Sequence, residues 1–169
     1  MDFSGYKLIA LDVAGATAFP RAVLLSDFPI RVGDKANWAR INEGLKRMRR
    51  RFEEAGYMDY KYTPLIDMDK QAKTVSCSFD LVQGRQYYIN AINFIGNDRL
   101  HDSDMRAAAN NSELEEGKIF RPSTLDKTIQ ALNKLLGEIQ LTSKDYEIKK
   151  RLDLPGTVDI NIRMQPTIR

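Results

Sequence analysis

An α+β protein built from two tandem βααββ units is what this sequence predicts, and three observations carry that prediction. Ile41, Leu45, Met48 and Phe52 recur at i, i+4, i+7 and i+11, the spacing that gathers side chains on one helical face. Leu125, Ile129, Leu132 and Leu136 repeat that face, each eighty-four positions after its counterpart, as Gly117 does after Gly33. The following strands repeat at nearly the same offset. Val75, Cys77, Phe79 and Leu81 alternate with Ser76, Ser78 and Asp80, and Val158, Ile160, Ile162 and Met164 alternate with Asp159, Asn161 and Arg163. Ahead of the helices, Leu11, Val13 and Gly15 correspond to Ile92, Phe94 and Gly96. Such self-similarity marks a duplicated structural unit, here of about 80 residues, near the small end of what folds as a domain. The units are therefore expected over residues 1–84 and 85–169.

In the first unit, Lys7 to Val13 reads as a strand with Leu11 and Val13 inward, closed by a turn at Gly15. A short helix follows, with Pro20 in a first turn that tolerates it and Pro29 preventing continuation. Gly33 turns the chain into the long helix that begins near Trp38 and ends at Gly56, a left-handed C-terminal position. Met58 to Met68 alternates next, and Pro64 inside it, which cannot donate to a ladder, makes it an edge strand. Asp69 to Lys73 forms the hairpin loop into Thr74 to Val82, and Gly84 ends the unit.

The second unit repeats this order. Tyr87 to Ile95 is its first strand, Asp104 to Asn110 its short helix and Leu125 to Ile139 its long one, with Ser123 and Asp126 as a capping pair. Lys144 to Leu152 is the edge strand and Thr157 to Met164 the last. Between the units there is hardly a linker, so restricted relative motion is expected, with one of Tyr87 and Tyr88 buried at the junction.

Composition narrows the function classes. With 43% apolar and 29% charged residues the chain is ordinary globular material, not a disordered one. A net charge of +3 with interspersed signs implies neither nucleic acid nor a membrane surface. No apolar run approaches the roughly eighteen residues of a membrane-spanning helix, and Met1-Asp2-Phe3-Ser4-Gly5 lacks the regions of a signal peptide. Cys77 is alone, which excludes an intrachain disulfide, and its phase matches Val75 and Phe79, as expected of a buried thiol.

Catalytic chemistry finds little to stand on. His101 is the single histidine, so no nucleophile has a choice of base, and no GxxxxGK[ST] or GxGxxG loop is present. His101, Asp102 and Asp104 read as a helix start rather than metal ligands. No enzyme, cofactor or metal is expected. Lys46, Arg47, Arg49, Arg50 and Arg51 form the densest basic cluster, which Glu43, Glu53 and Glu54 make a solvated helix face. Tyr57, Tyr60 and Tyr62 are expected to pack, since two of them share the core phase of the strand.

The order strand, helix, helix, strand, strand resembles a POTRA domain, the polypeptide-transport-associated module found in tandem before the barrel of BamA-type outer-membrane assembly proteins. Gly33 before the long helix, Gly56-Tyr57-Met58-Asp59 after it, Phe79-Asp80-Leu81-Val82-Gln83-Gly84 and Ile92-Asn93-Phe94-Ile95-Gly96-Asn97 carry the resemblance. The first unit departs from the pattern at Gly15-Ala16, and the second at Ile139-Gln140-Leu141, which stands where Gly-Tyr is expected. The resemblance implies that each unit is a three-stranded mixed sheet packed against two helices. It implies a periplasmic module, the soluble part of an outer-membrane protein, followed in the full-length chain by a C-terminal membrane barrel. The partners implied are unfolded or nascent outer-membrane proteins and accessory assembly proteins.

An unpaired strand edge suits such clients, because it offers backbone donors and acceptors to any extended chain with little demand on side chains. The candidate protein-binding residues are Tyr60, Lys61, Tyr62, Thr63, Leu65 and Ile66 in the first unit, and Asp145, Tyr146, Glu147, Ile148, Lys149 and Arg151 in the second. Pro64 and the charges of Asp59, Lys61, Asp145, Glu147, Lys149 and Arg151 also suit edges guarded against self-pairing. Two other readings remain open. One is a non-catalytic scaffold with a single fixed partner, of the divisome or two-partner-secretion kind; the other, weaker, is a nucleic-acid binder using Lys46 to Arg51.

Overall fold

A computed structural model of the chain describes residues 3–96, 99–137 and 140–164. Its elements run β1 (Lys7–Ala14), α1 (Arg21–Ser26), α2 (Trp38–Glu54), β2 (Lys61–Asp69), β3 (Thr74–Val82), β4 (Tyr88–Ile95), α3 (Asp102–Asn111), α4 (Pro122–Leu136), β5 (Tyr146–Lys150) and β6 (Thr157–Arg163). Contacts divide the chain into two compact units: Met1–Glu53 with Tyr57–Gly84, and Glu54–Gly56 with Arg85–Arg169.

Each unit is a three-stranded mixed sheet with two helices, as the sequence predicts. The strand orders are β1-β3-β2 and β4-β6-β5, so the last strand of each unit is central. β1 and β4 run parallel to it because two helices intervene, which gives the long crossover a parallel pair needs. β2 and β5 run antiparallel to it because a short hairpin joins them. In the first hairpin the Asp69 carboxylate accepts from the backbone N–H groups of Gln71 and Ala72, both at 2.8 Å.

The helical repeat faces the core. Ile41, Leu45, Met48 and Phe52 are all buried, and so are Val75, Cys77, Phe79 and Leu81. Each such side chain contributes roughly 1.5–3 kcal/mol by leaving water, so these two faces make up a large part of the first unit's core. In the second unit Leu125, Ile129 and Leu132 are buried, with Val158, Ile160, Ile162 and Met164. Burial pushes the Cys77 thiol pKa up, in keeping with a small hydrophobe.

A feature of the repeat that apolar periodicity does not report is a bulge. The β1–β3 register shifts between Leu8 and Ala10, and the β4–β6 register shifts at the equivalent place, between Ile89 and Ala91. The shift changes which residues face inward: Leu8 and Val13 are buried while Leu11 is half-buried, where Leu11 and Val13 were expected inside. Gly44 is another. It lies in mid-helix, where glycine costs about 0.5–1 kcal/mol relative to alanine, yet a Cβ there would sit 2.3 Å from Phe28 Cδ1. The bare backbone of α2 is what admits the Phe28 ring, which stacks on Phe79 at 5.9 Å.

Several expected boundaries move. β2 begins at Lys61 rather than Met58, because Tyr60 is committed to the core. The second edge strand is Tyr146–Lys150, shorter than the expected Lys144 to Leu152, because turns flank it on both sides. α3 spans Asp102–Asn111, slightly longer than expected. α4 begins at Pro122, whose φ is already helical, with Arg121 extended before it; Ser123 therefore lies inside the first turn and is not a cap. The same helix stops at Leu136 with Gly137 at φ 69°, so its terminal glycine precedes the expected position; Ile139 lies outside the described residues.

Candidate functional site

Half of the backbone groups of an edge strand point away from the sheet, and whatever satisfies them defines what the edge can still bind. In both units the outer edge of the first strand is already used near its start. Gly33 N–H donates to Leu8 O at 2.7 Å, Leu8 N–H to Asp34 O at 3.0 Å and Ala36 N–H to Tyr6 O at 2.8 Å. The second unit repeats the pattern: Gly117 N–H to Ile89 O at 2.7 Å, Ile89 N–H to Lys118 O at 2.8 Å and Phe120 N–H to Tyr87 O at 2.9 Å. The segment before each long helix thus covers one edge. β2 and β5 remain as the edges that pair with β3 and β6 on one side only.

β2 is the longer. Its nine residues pair without a break from Lys61 opposite Val82 to Asp69 opposite Thr74. Tyr62, Pro64, Ile66 and Met68 stand opposite Leu81, Phe79, Cys77 and Val75, so they share the helix-covered face, with Tyr62 and Ile66 half-buried. Lys61, Thr63, Leu65 and Asp67 occupy the other face, and Leu65 is 52% exposed. Pro64 is accommodated on this outer strand, as the sequence predicts.

Tyr60, although adjacent, is not an edge residue. It is buried, stacks on Phe52 at 4.5 Å and donates its hydroxyl to Met48 Sδ at 3.3 Å. Burial drives its phenol pKa up to about 12, against a smaller opposing influence of the Arg49 charge. Tyr57 and Tyr62 also join the aromatic cluster, against Phe52 and Phe79.

β5 has five residues, with Tyr146, Glu147, Ile148 and Lys149 opposite Ile162, Asn161, Ile160 and Asp159. Tyr146 and Ile148 are half-buried, and Glu147 and Lys149 are exposed. Asp145 precedes the strand and turns inward: its carboxylate accepts from Thr142 N–H at 2.7 Å and Thr142 Oγ1 at 2.8 Å. Arg151 follows it, and its guanidinium holds Asp159 at 3.1 Å and Asp153. The Arg151 hydrogen bond lowers the Asp153 carboxyl pKa to about 2. Of the twelve candidates, nine lie within the two edge strands, while Tyr60, Asp145 and Arg151 hold their ends.

The basic cluster disperses around α2. Arg47 pairs with Glu43 at 3.1 Å, Arg49 with Glu53 at 3.8 Å, and Arg51 reaches Asp27 through two hydrogen bonds of 2.6 and 2.8 Å. Lys46 and Arg50 are exposed. His101 is the extended residue before α3, with Asp102 and Asp104 in the first turn. Tyr87 is buried and Tyr88 is 42% exposed; Lys150 Nζ lies 5.1 Å from the Tyr87 ring centroid. Among the described residues no helix is long and apolar enough to cross a membrane.

Set beside known proteins, residues 6–84 and 87–166 each match the family model described as POTRA, surface antigen variable number repeat. The fold is similar to BamA POTRA3-5 of Haemophilus influenzae, with a TM-score of 0.76 and 18% identity over 95% of this chain and 61% of that one. It is equally similar to a Haemophilus ducreyi BamA lacking POTRA domains 1-3, with a TM-score of 0.76 and 19% identity over 94% of this chain and 29% of that one. The chain therefore spans about three fifths and under a third of these two relatives. POTRA1-2 of the periplasmic domain of Omp85 from Anabaena matches with a TM-score of 0.50 and 13% identity, covering 96% of each chain. No curated protein matches the chain in sequence.

Proposed function

The chain belongs to the POTRA family, and from that premise we propose that it is a periplasmic protein-binding module, two domains over 1–84 and 85–169, of a BamA-type outer-membrane assembly protein. It binds unfolded outer-membrane proteins or accessory assembly proteins by pairing a strand of theirs with β2 or β5. It then delivers them to a membrane barrel of the same full-length chain. It acts by binding, without catalysis.

The observation that supports this reading is the asymmetry of the sheet edges. The segment before the long helix occupies the start of β1 and β4, whereas β2 and β5 pair on one side only. Backbone pairing is indifferent to the partner's sequence, which suits many clients, while Leu65 within β2 and Ile148 within β5 add modest side-chain selection.

The test is an NMR titration of the isotope-labelled chain with extended peptides copied from outer-membrane barrel strands, at moderate salt. Amide shifts concentrated in 61–69 or 146–150, shared by unrelated peptides, are the expected outcome. If no peptide moves those amides, edge capture is wrong, and a scaffold with one fixed folded partner takes its place.

A further inference from the structure

The two units differ sharply at one equivalent place, the surface between the short and long helices. In the first unit it is filled from within. The Phe28 ring lies over Gly44, Leu24 is buried, and the Arg51 guanidinium bridges to the Asp27 carboxylate. Eighty-four positions on, the same places hold Ser112, Thr128, Ala108, Leu135 and Asn111. Backbone hydrogen bonds support the alignment: Phe28 N–H donates to Leu25 O, and Ser112 N–H to Ala109 O.

Phe28 to Ser112 and Leu24 to Ala108 remove bulk, and Arg51 with Asp27 to Leu135 with Asn111 removes an ion pair, against which Gly44 to Thr128 adds only a small side chain. What remains between α3 and α4 is an open groove of about 550 Å³. It is lined by Ala107, Ala108 and Ala131, of which Ala108 is buried, and by Leu135, which is 49% exposed. Ser112 and Thr128 do not offer their hydroxyls to a ligand. Each is spent on its own helix, to Ala108 O at 2.8 Å and Thr124 O at 2.9 Å. The α4 rim bears Lys127 and Lys134, both exposed, and among the described residues neither forms an ion pair. Asp104 stands on the α3 rim.

We propose that this groove on the second unit docks an acidic amphipathic helix of a protein partner, whose central leucine or phenylalanine takes the place that Phe28 fills in the first unit. Lys127 and Lys134 are seven residues apart, so their positions are separated by roughly 10.5 Å along α4. Carboxylates one turn before and one turn after the central apolar residue of a partner helix match that separation. The alanine lining lets the partner backbone approach closely, and the ridges of α3 and α4 supply a groove for it. The site is separate from the β2 and β5 edges and stands or falls independently of strand pairing.

The probe is a capped alanine-rich helical peptide with one central leucine flanked by glutamates one turn on either side, titrated into the labelled full chain. Expected are shifts at the amides of Ala107, Ala108 and Ala131, with 61–69 and 146–150 unmoved. Lys127→Glu with Lys134→Glu, both surface changes, weakens binding by about tenfold or more. Asn111→Asp with Leu135→Arg rebuilds the first unit's ion pair across the groove and abolishes the shifts while the spectrum stays dispersed. A peptide with lysines in place of the glutamates binds at least as weakly as the charge-reversed chain binds the original. Absence of groove shifts, equal binding by the lysine peptide, or binding unaffected by the paired lysine substitutions overturns the proposal.

Discussion

The first unit and the second share a backbone and differ in what fills it. Both place a bulge after the second residue of their opening strand, both cover that strand with the segment before the long helix, and both put the last strand at the centre. The first fills this frame with rings: Phe28 on Phe79, Phe52 on Tyr60, Tyr62 against Phe79. The second sets Ser112 where Phe28 stands, Leu136 where Phe52 stands and Ile162 where Phe79 stands. The difference teaches that register, bulge and crossover suffice to define the unit, and that the side chains filling that frame differ between the two copies.

The comparison breaks most readily at Phe28. Phe28→Ala empties a buried ring site and should cost about 3–5 kcal/mol, whereas Ser112→Ala removes one hydrogen bond and should cost about 1 kcal/mol or less. Urea unfolding followed by Trp38 fluorescence reports the first unit, since Trp38 is the only tryptophan, and far-UV circular dichroism follows both. Equal losses would mean that the two fillings do the same work. Next in size is Arg51→Leu, which strands the buried Asp27 carboxylate and should cost roughly 1–3 kcal/mol. Leu135→Ala, at the matching position but half exposed, should stay within about 0.5–1 kcal/mol.

Titrations sharpen the comparison further. The Tyr60 phenol pKa is raised by burial to about 12, above the roughly 10 of an unfolded chain. Its contribution to the first unit is therefore complete below about pH 10 and lost as pH rises toward 12. Phenolate absorbance against pH should show a tyrosine ionising near pH 12 in the wild type that is lost in Tyr60→Phe, while Tyr146, also raised by burial, is unchanged. The second unit responds at the acid end. Asp153, depressed to about 2 by Arg151, contributes fully above about pH 4 and loses its pairing as pH falls through 2. The effect on stability is small, because the pair is exposed, but the carboxyl carbon shift of Asp153 should titrate low and return toward the ordinary range in Arg151→Gln.

Much of the candidate site is legible in the chain. Pro64 identifies β2 as an outer strand, and alternation locates most of the residues along it. Tyr60 is misread because alternation continues past the end of the strand: its ring is drawn inward by Phe52, a helical neighbour that strand periodicity does not register. Asp145 and Arg151 fall just outside β5, where a turn and two carboxylates hold their side chains. The α3–α4 groove leaves a signal only in retrospect. Aligning the two copies puts Ser112 under Phe28 and Leu135 under Arg51, but apolar periodicity treats small and large residues on a helix face alike.

By itself the sequence determined the duplication, the element order, the mixed α+β class and the outer position of β2. Each follows from local rules: helical or strand periodicity, the proline that cannot donate, the glycines that end helices. Only the tertiary structure decided that the start of β1 and β4 is covered while β2 and β5 pair on one side only, that Gly44 exists to admit Phe28, and that the corresponding place in the second unit is open. Those facts depend on residues far apart in the chain meeting across a shared volume, and no spacing rule along one strand or helix records how much of that volume is filled.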